Sequence, residues 1–127
     1  MEYSDSLKKN NEFQRVYRKG TSQANRYLVM YVLENHDRHM ENRLGISVSK
    51  KVGNSVVRHR VTRLIRESYR LNERSFRQGL DIVVVARPNA KDKSYQEIES
   101  ALMHLAGRMK IRREAELHAV SYTHLRA

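Results

Sequence analysis

The chain has 127 residues, 39% of them hydrophobic and 31% charged, with no Cys, a formal net charge of +11 and a pI near 10.3. That length gives one domain with one core. The lack of Cys excludes disulfides, thiolate zinc sites and thiol catalysis and fits a reducing cytoplasm, while the charge calls for a polyanionic partner. No apolar run approaches the roughly 18 residues of a membrane span, and the opening MEYSDSLKKNNEF lacks the apolar region of a secretory signal.

Residues 1–7 read as a loose arm. Asn10 or Asn11 can cap a short helix in which Phe13, Val16 and Tyr17 fall on one face, with Gly20 ending it. Thr21 to Arg26 is a polar connection with room for a short extra strand. Tyr27 to Leu33 is a strand with two apolar faces, and the polar stretch from Glu34 to Asn42 suggests a hairpin into a second strand from Arg43 to Ser49.

The segment from Ser49 to Arg74 dominates the chain. Gly53-Asn54 marks a turn, and Asn54 or Ser55 caps a helix. At about 100° per residue, Val57, Val61, Leu64, Ile65, Ser68 and Leu71 form a core-facing stripe, while Arg60, Arg63, Arg66, Arg70 and Arg74 share an arc about 120° wide on the far side. Arg58 sits apart, at the other edge of the stripe. From Lys50 to Arg74 there are eight Lys/Arg against Glu67 and Glu73, a net of +6. A solvated helix face normally mixes signs for i,i+4 pairing. Arginines gathered on one arc repel one another unless an anion lies opposite, and the guanidinium fork suits phosphate.

Gly79 ends that region. Asp81 to Ala86 is a third strand, nearly all apolar and therefore central, stopped by Arg87-Pro88. Asp92 or Ser94 caps a last helix with Ile98, Ala101, Leu102, Leu105 and Met109 on one face. The order helix, strand, strand, helix, strand, helix makes an α+β protein, a two-layer α/β sandwich with a mostly antiparallel sheet. Residues 1–112 form the single domain. Residues 113–127 lose the pattern and read as a disordered or non-native tail.

The segment Lys51, Gly53, Ser55, Val56, Arg58, His59, Arg60, Thr62, Arg63, Arg66, Glu67 resembles the signature of the protein subunit of bacterial ribonuclease P, approximately K-x-G-x-A-V-x-R-N-R-x-K-R-x-x-R-E. The flanks agree: Asn11 to Tyr17 is similar to the family's first helix, Gly45 to Lys51 to the strand leading into the motif, and Asp81 to Arg87 to the next strand. The resemblance covers about residues 7–112 in order and spacing.

That resemblance implies a holoenzyme in which a large RNA removes the 5′ leader of precursor tRNA by Mg²⁺-dependent hydrolysis. One protein would bind one ribonuclease P RNA and contact the leader, with Mg²⁺ held mainly by RNA and substrate. It also implies a left-handed βαβ crossover around the motif helix. Carried over by position, Lys50, Lys51, Gly53, Asn54, Arg58, His59, Arg60, Arg63, Arg66 and Arg70 would meet RNA, and Phe13, Val16, Tyr17 and Tyr31 would line a cleft for the leader. An aromatic platform beside a basic groove is what single-stranded RNA requires. For Phe13, Val16 and Tyr17 the competing reading is plain core packing.

Ser55, His59 and Thr62 depart from the signature's Ala, Asn and Lys. Losing the Lys removes one phosphate contact at most; His59 either restores part of it as a charged imidazole or is a solvated side chain that the site tolerates. The first rival reading is a general RNA- or ribosome-binding module without a role in tRNA processing. The second, a self-sufficient nuclease, needs clustered carboxylates or paired histidines. Asp81 and Glu67 stand alone in sequence, and His36, His39, His104, His118 and His124 form no metal-ligand pattern. A membrane-lying amphipathic helix is disfavoured because the apolar face is needed by the sheet.

Overall fold

The computed structural model describes residues 4–35 and 41–113. In chain order the elements are β1 (Ser4–Ser6), α1 (Asn10–Lys19), β2 (Thr21–Ala24), β3 (Leu28–Glu34), β4 (Asn42–Ser47), α2 (Ser55–Leu71), β5 (Leu80–Ala86) and α3 (Tyr95–Arg108), with short 3₁₀ turns after α2 and β5. The extra strand before Tyr27 is β2. His36 and His39, and the tail from residue 114 on, lie outside the described residues.

The five strands form one sheet in the order β1-β4-β5-β3-β2. Two pairings are antiparallel, β2 with β3 and β3 with β5, and two are parallel, β1 with β4 and β4 with β5. The expected β3–β4 hairpin does not form, because β5 lies between the two strands. β5 is buried on both faces over nearly its whole length, and only the middle of a sheet satisfies a strand of that kind. The arm expected to be loose is corrected too. Ser4–Ser6 pairs with β4 in register Ser4 to Asn42, and the Ser4 hydroxyl lies 2.7 Å from the Tyr69 hydroxyl of α2.

Period-two alternation sends Leu28, Met30, Val32, Leu44, Ile82, Val84 and Ala86 to one face of the sheet, where α2 and α3 close the main core. The other face carries Val83, Tyr31, Leu33 and Val85 against Leu7, Phe13, Val16 and Tyr17. α1 thus adds a partial third layer to the expected sandwich. The buried stripe of α2 is Val61, Ile65, Ser68 and Tyr69. Its centre lies about 50° from the centre of the predicted stripe, so Tyr69 falls inside and Leu71, which is 58% exposed, falls out.

Gly20 ends α1, but not as a left-handed cap, since its φ is −84°. The constraint is proximity. A Cβ there would lie 2.6 Å from the Val32 carbonyl oxygen and 2.7 Å from that of Val16. The cap of α1 is Lys9 rather than an asparagine, because Glu12 reaches back to accept from the backbone N–H groups of Lys8 and Lys9, both at 3.1 Å. Gly79 does need positive φ, at 82°, in the turn entering β5.

A charged network fixes α1 to the sheet. Arg43 of β4 donates to both oxygens of Asp81 on β5, at 3.0 and 2.7 Å, and to Glu12 of α1 at 2.7 Å. Asn35 adds a donor to Asp81 at 2.8 Å. Asp81 is 1% exposed. The Lys9 and Lys8 amides, helped by Arg43, hold the Glu12 carboxyl below the usual carboxylate range, and the hydrogen bonds to Asp81 raise the Arg43 guanidinium above its ordinary value. Removing one member of a buried pair strands the other charge.

Arg43→Ala is therefore expected to cost about 3–5 kcal/mol in urea unfolding. A smaller and pH-dependent loss is expected for Glu12→Gln. A carboxyl whose folded pKa is depressed stabilises fully above its unfolded value and loses that contribution as pH falls through the folded one. The gap between parent and Glu12→Gln should hold constant above about pH 5 and close below about pH 4, read from unfolding midpoints across that range.

Candidate nucleic-acid interface

Two surfaces stand out, and β4 leads from one toward the other. The first surrounds the turn into α2. Val52, 2% exposed, plugs the core directly after exposed Lys50 and Lys51. Gly53 follows because a Cβ there would lie 2.8 Å from Val57 Cγ1. Asn54 caps the helix by accepting from the Val57 N–H at 3.0 Å. Gly53 and Asn54 thus have structural duties in shaping the turn that presents the two lysines.

The arginines of α2 divide by what they touch. Arg63 and Arg66 are exposed and make no hydrogen bond or ion pair among the described residues, and His59 lies exposed on the same arc. Arg70 forms a two-pronged pair with Glu67, at 3.0 and 2.6 Å. That pairing lowers the Glu67 carboxyl and raises the Arg70 guanidinium. Arg60 donates to the carbonyls of Lys91 at 3.4 Å and Lys93 at 2.8 Å, clamping the loop before α3. Arg74 leaves the arc because α2 ends at Leu71 and residues 73–75 form a 3₁₀ turn. Arg58 is half-buried, and its Nε–H is shielded from solvent without an acceptor. Thr62, at the lysine position of the signature, donates to the Arg58 carbonyl at 2.8 Å.

The second surface is aromatic. The Tyr17 ring meets Tyr31 of β3 edge-on, with centroids 4.9 Å apart and planes at 72°, and Phe13 lies 6.4 Å from Tyr17. All three are half-buried. Val16 is fully buried and supports them from beneath rather than lining the surface. Gly45 makes room for this arrangement. A Cβ at that point of β4 would lie 2.7 Å from the Phe13 ring. From Gly45, β4 and its extension reach Lys50 and Lys51 within at most about 20 Å.

The two carboxylates considered for a nuclease are both engaged, Asp81 by Arg43 and Glu67 by Arg70. Among the described residues no group of three or more His, Asp or Glu side chains could hold a metal ion, and no helix is long and apolar enough to cross a membrane.

A family model described as Ribonuclease P matches residues 1–110. The chain belongs to the ribonuclease P protein family. The ribonuclease P protein component of Lachnoclostridium phytofermentans is 64% identical over 108 residues, which is 85% of this chain and 91% of that one. That of Alkaliphilus metalliredigens is 54% identical over 111 residues, 87% and 98% of the two chains. Among solved structures, the Staphylococcus aureus RNase P protein aligns with a TM-score of 0.77 at 42% identity, over 85% of this chain and 97% of that one. The Thermotoga maritima RNase P protein aligns at 0.74 and 28% identity, over 82% and 96%. The resemblance read from the α2 motif and its flanks therefore holds over residues 1–110.

Gly45→Ala is expected to leave the fold intact while displacing the Phe13 ring, because the atoms it meets are the far end of a side chain. Quenching of tyrosine fluorescence by a single-stranded oligoribonucleotide should weaken several-fold, whereas a comparable loss of thermal stability would show that Phe13 is a core residue only.

Proposed function

We propose that the two surfaces divide the work of a ribonuclease P protein component. The chain is the protein subunit of an enzyme whose catalyst is RNA, and ribonuclease P RNA is its partner. Lys50, Lys51, Arg58, His59, Arg63 and Arg66 face that RNA. Arg60, Arg70, Gly53 and Asn54 hold the basic surface in shape as well as adding to its charge. The half-buried rings of Phe13, Tyr17 and Tyr31 receive the single-stranded 5′ leader of precursor tRNA, stacking on bases without reading their edges. The observation that carries this reading is the aromatic surface on α1 and β3, joined by β4 to a basic turn and a helix whose exposed Arg63 and Arg66 make no hydrogen bond or ion pair among the described residues.

Among the described residues no three His, Asp or Glu side chains gather as a metal-binding cluster. Mg²⁺ would be held by RNA and substrate rather than by the protein. What the chain supplies is positive charge. Each Lys or Arg that meets a phosphate releases condensed counterions, so affinity falls steeply with salt. Neutralising leader and RNA phosphates together lets two polyanions approach at a lower concentration of divalent cation. A single protein per RNA and a cytoplasmic location complete the proposal.

The deciding assay is cleavage of a leader-bearing precursor tRNA at low, near-physiological Mg²⁺, with protein alone, bacterial ribonuclease P RNA alone, and both together. Cleavage at the mature 5′ end is expected only with both. RNA binding without stimulation would return the chain to a general RNA-binding module, and cleavage by protein alone would overturn the assignment of catalysis. In the same system Arg63→Ala and Arg66→Ala should each lower the slope of log affinity against log salt by about 1. Arg70→Ala, whose guanidinium is shared with Glu67, should change the slope less.

A further inference from the structure

Neither surface uses the turn between β2 and β3, which packs on α3. Asn25 organises that turn. Its side-chain oxygen accepts from the N–H groups of Tyr27 and Leu28, at 3.2 and 3.0 Å, and its amide donates to the Ala101 carbonyl at 2.9 Å. Arg87 closes the turn from outside by donating to the Asn25 carbonyl at 2.8 Å.

Two hollows meet at this turn. One, of about 530 Å³, is mainly apolar and is lined by Tyr27, Ala101, Gln96, Glu97, Ser100 and His104. The other, of about 400 Å³, is mainly polar and is lined by Arg26, Lys91, Asp92, Lys93 and Pro88. Arg26 and Tyr27 belong to both. Lys93 Nζ stands 5.3 Å from the centre of the Tyr27 ring, and the same ammonium lies 3.7 Å from the exposed Asp92. Three cations thus face one carboxylate in the polar hollow. In the apolar hollow, Gln96 and Ser100 have no side-chain hydrogen bond among the described residues. The His104 imidazole lies 3.3 Å from Asn25 Nδ2, and the Glu97 carboxylate accepts from the Ser94 N–H and hydroxyl at 3.0 and 3.2 Å.

We propose that the paired hollows bind one unpaired purine nucleotide of an RNA, the base in the apolar hollow and the phosphate on Arg26, Lys91 and Lys93. A flat heterocycle needs an apolar slot with a few unspent polar groups at its edge, and its phosphate needs cations directly beside that slot. The structure offers both in that order, divided by an aromatic ring. The volume of the apolar hollow lies within the ordinary range for small-ligand sites. The site is also continuous with the basic face of α2, because Arg60 is hydrogen-bonded to the carbonyls of Lys91 and Lys93. One RNA lying along α2 can therefore extend into it. This inference rests on the RNA-binding reading of α2 and adds a contact that neither the arginine arc nor the α1 cleft supplies.

The test uses the full chain and two probes, an oligoadenylate and an abasic ribose-phosphate strand of the same length. Their phosphates are equal in number, so only bases distinguish them. The parent is expected to prefer the oligoadenylate. Ser100→Phe fills the apolar hollow from an exposed position on α3, and His104→Ala removes an edge group without adding bulk. Each should cut that preference about tenfold or less, Ser100→Phe more, while affinity for the abasic strand stays unchanged. Retained abasic binding and an unshifted thermal transition show that the fold survives. A base preference equal to the parent's in both variants, or no preference in the parent, overturns the nucleotide site. Failure of the parent to bind either strand would instead overturn the RNA-binding reading beneath it.

Discussion

The fork of Arg43 onto Asp81 holds the central strand pair in place. β4 and β5 are parallel neighbours that each bring one charge into a place almost without solvent, and a guanidinium and a carboxylate satisfy one another there on two hydrogen bonds. The third arm of the guanidinium captures Glu12, and Glu12 is also the residue that starts α1 by accepting two backbone amides. A single side chain therefore sets the sheet register, the position of α1 and, through α1, the place of Phe13 and Tyr17. Buried pairs of this kind contribute little to net stability compared with apolar residues of the same shape. Here the pair defines a geometry, since no apolar replacement would point α1 at both strands.

A basic helix on its own could serve many partners, and position turns it into a specific surface. The α2 arginines are not equivalent once folded. Two are free for a ligand, one is shared with Glu67, one is spent on the loop before α3, and one is sunk partway into the protein. The surface is more sparsely armed than the helical wheel implies, but it is more rigid. The turn that precedes it is fixed from three sides: by Val52 in the core, by Gly53 under Val57 and by the Asn54 cap. Lys50 and Lys51 are thereby held apart on a stiff corner rather than on a flexible loop, which limits the entropy lost when they engage phosphate.

Much of this was legible in the sequence because it depends on local pattern. The start of α2 after a cap at Asn54 or Ser55, the centrality of β5 and the apolar stripe of α3 follow from periodicity and turn chemistry over a few residues. The failures share one cause, that pairing partners far apart in sequence leave no local trace. The polar stretch after β3 looks like a hairpin turn, yet β5 arrives some forty residues later to separate the strands. Ser4–Ser6 has no strand signature and is a strand only because β4 offers an open edge. Asp81 looks isolated until Arg43 is beside it. At the site, the charge arc was visible but its division was not, because Lys91 and Lys93 accept from Arg60 through backbone carbonyls, which every residue has. Val16 shared a helical face with Phe13 and Tyr17, and only the depth of the α1 packing removes it from the surface.

The strand order has a consequence for how the chain comes to be folded. The two edges of the sheet, β1 and β2, and both neighbours of the centre, β3 and β4, are all made before the central strand β5 exists. A nascent chain that stops short of residue 80 holds two apolar strands whose common partner is missing, and no subset of the earlier strands can assemble the sheet as found. Closure must wait for contacts of long sequence separation, which slows folding and leaves strand edges open in the interval. The positively charged helix α2 is the segment synthesised just before β5. A polyanion that engages it during that interval would meet a helix still lacking its sheet, so protein folding and ribonucleoprotein assembly compete for the same stretch of time.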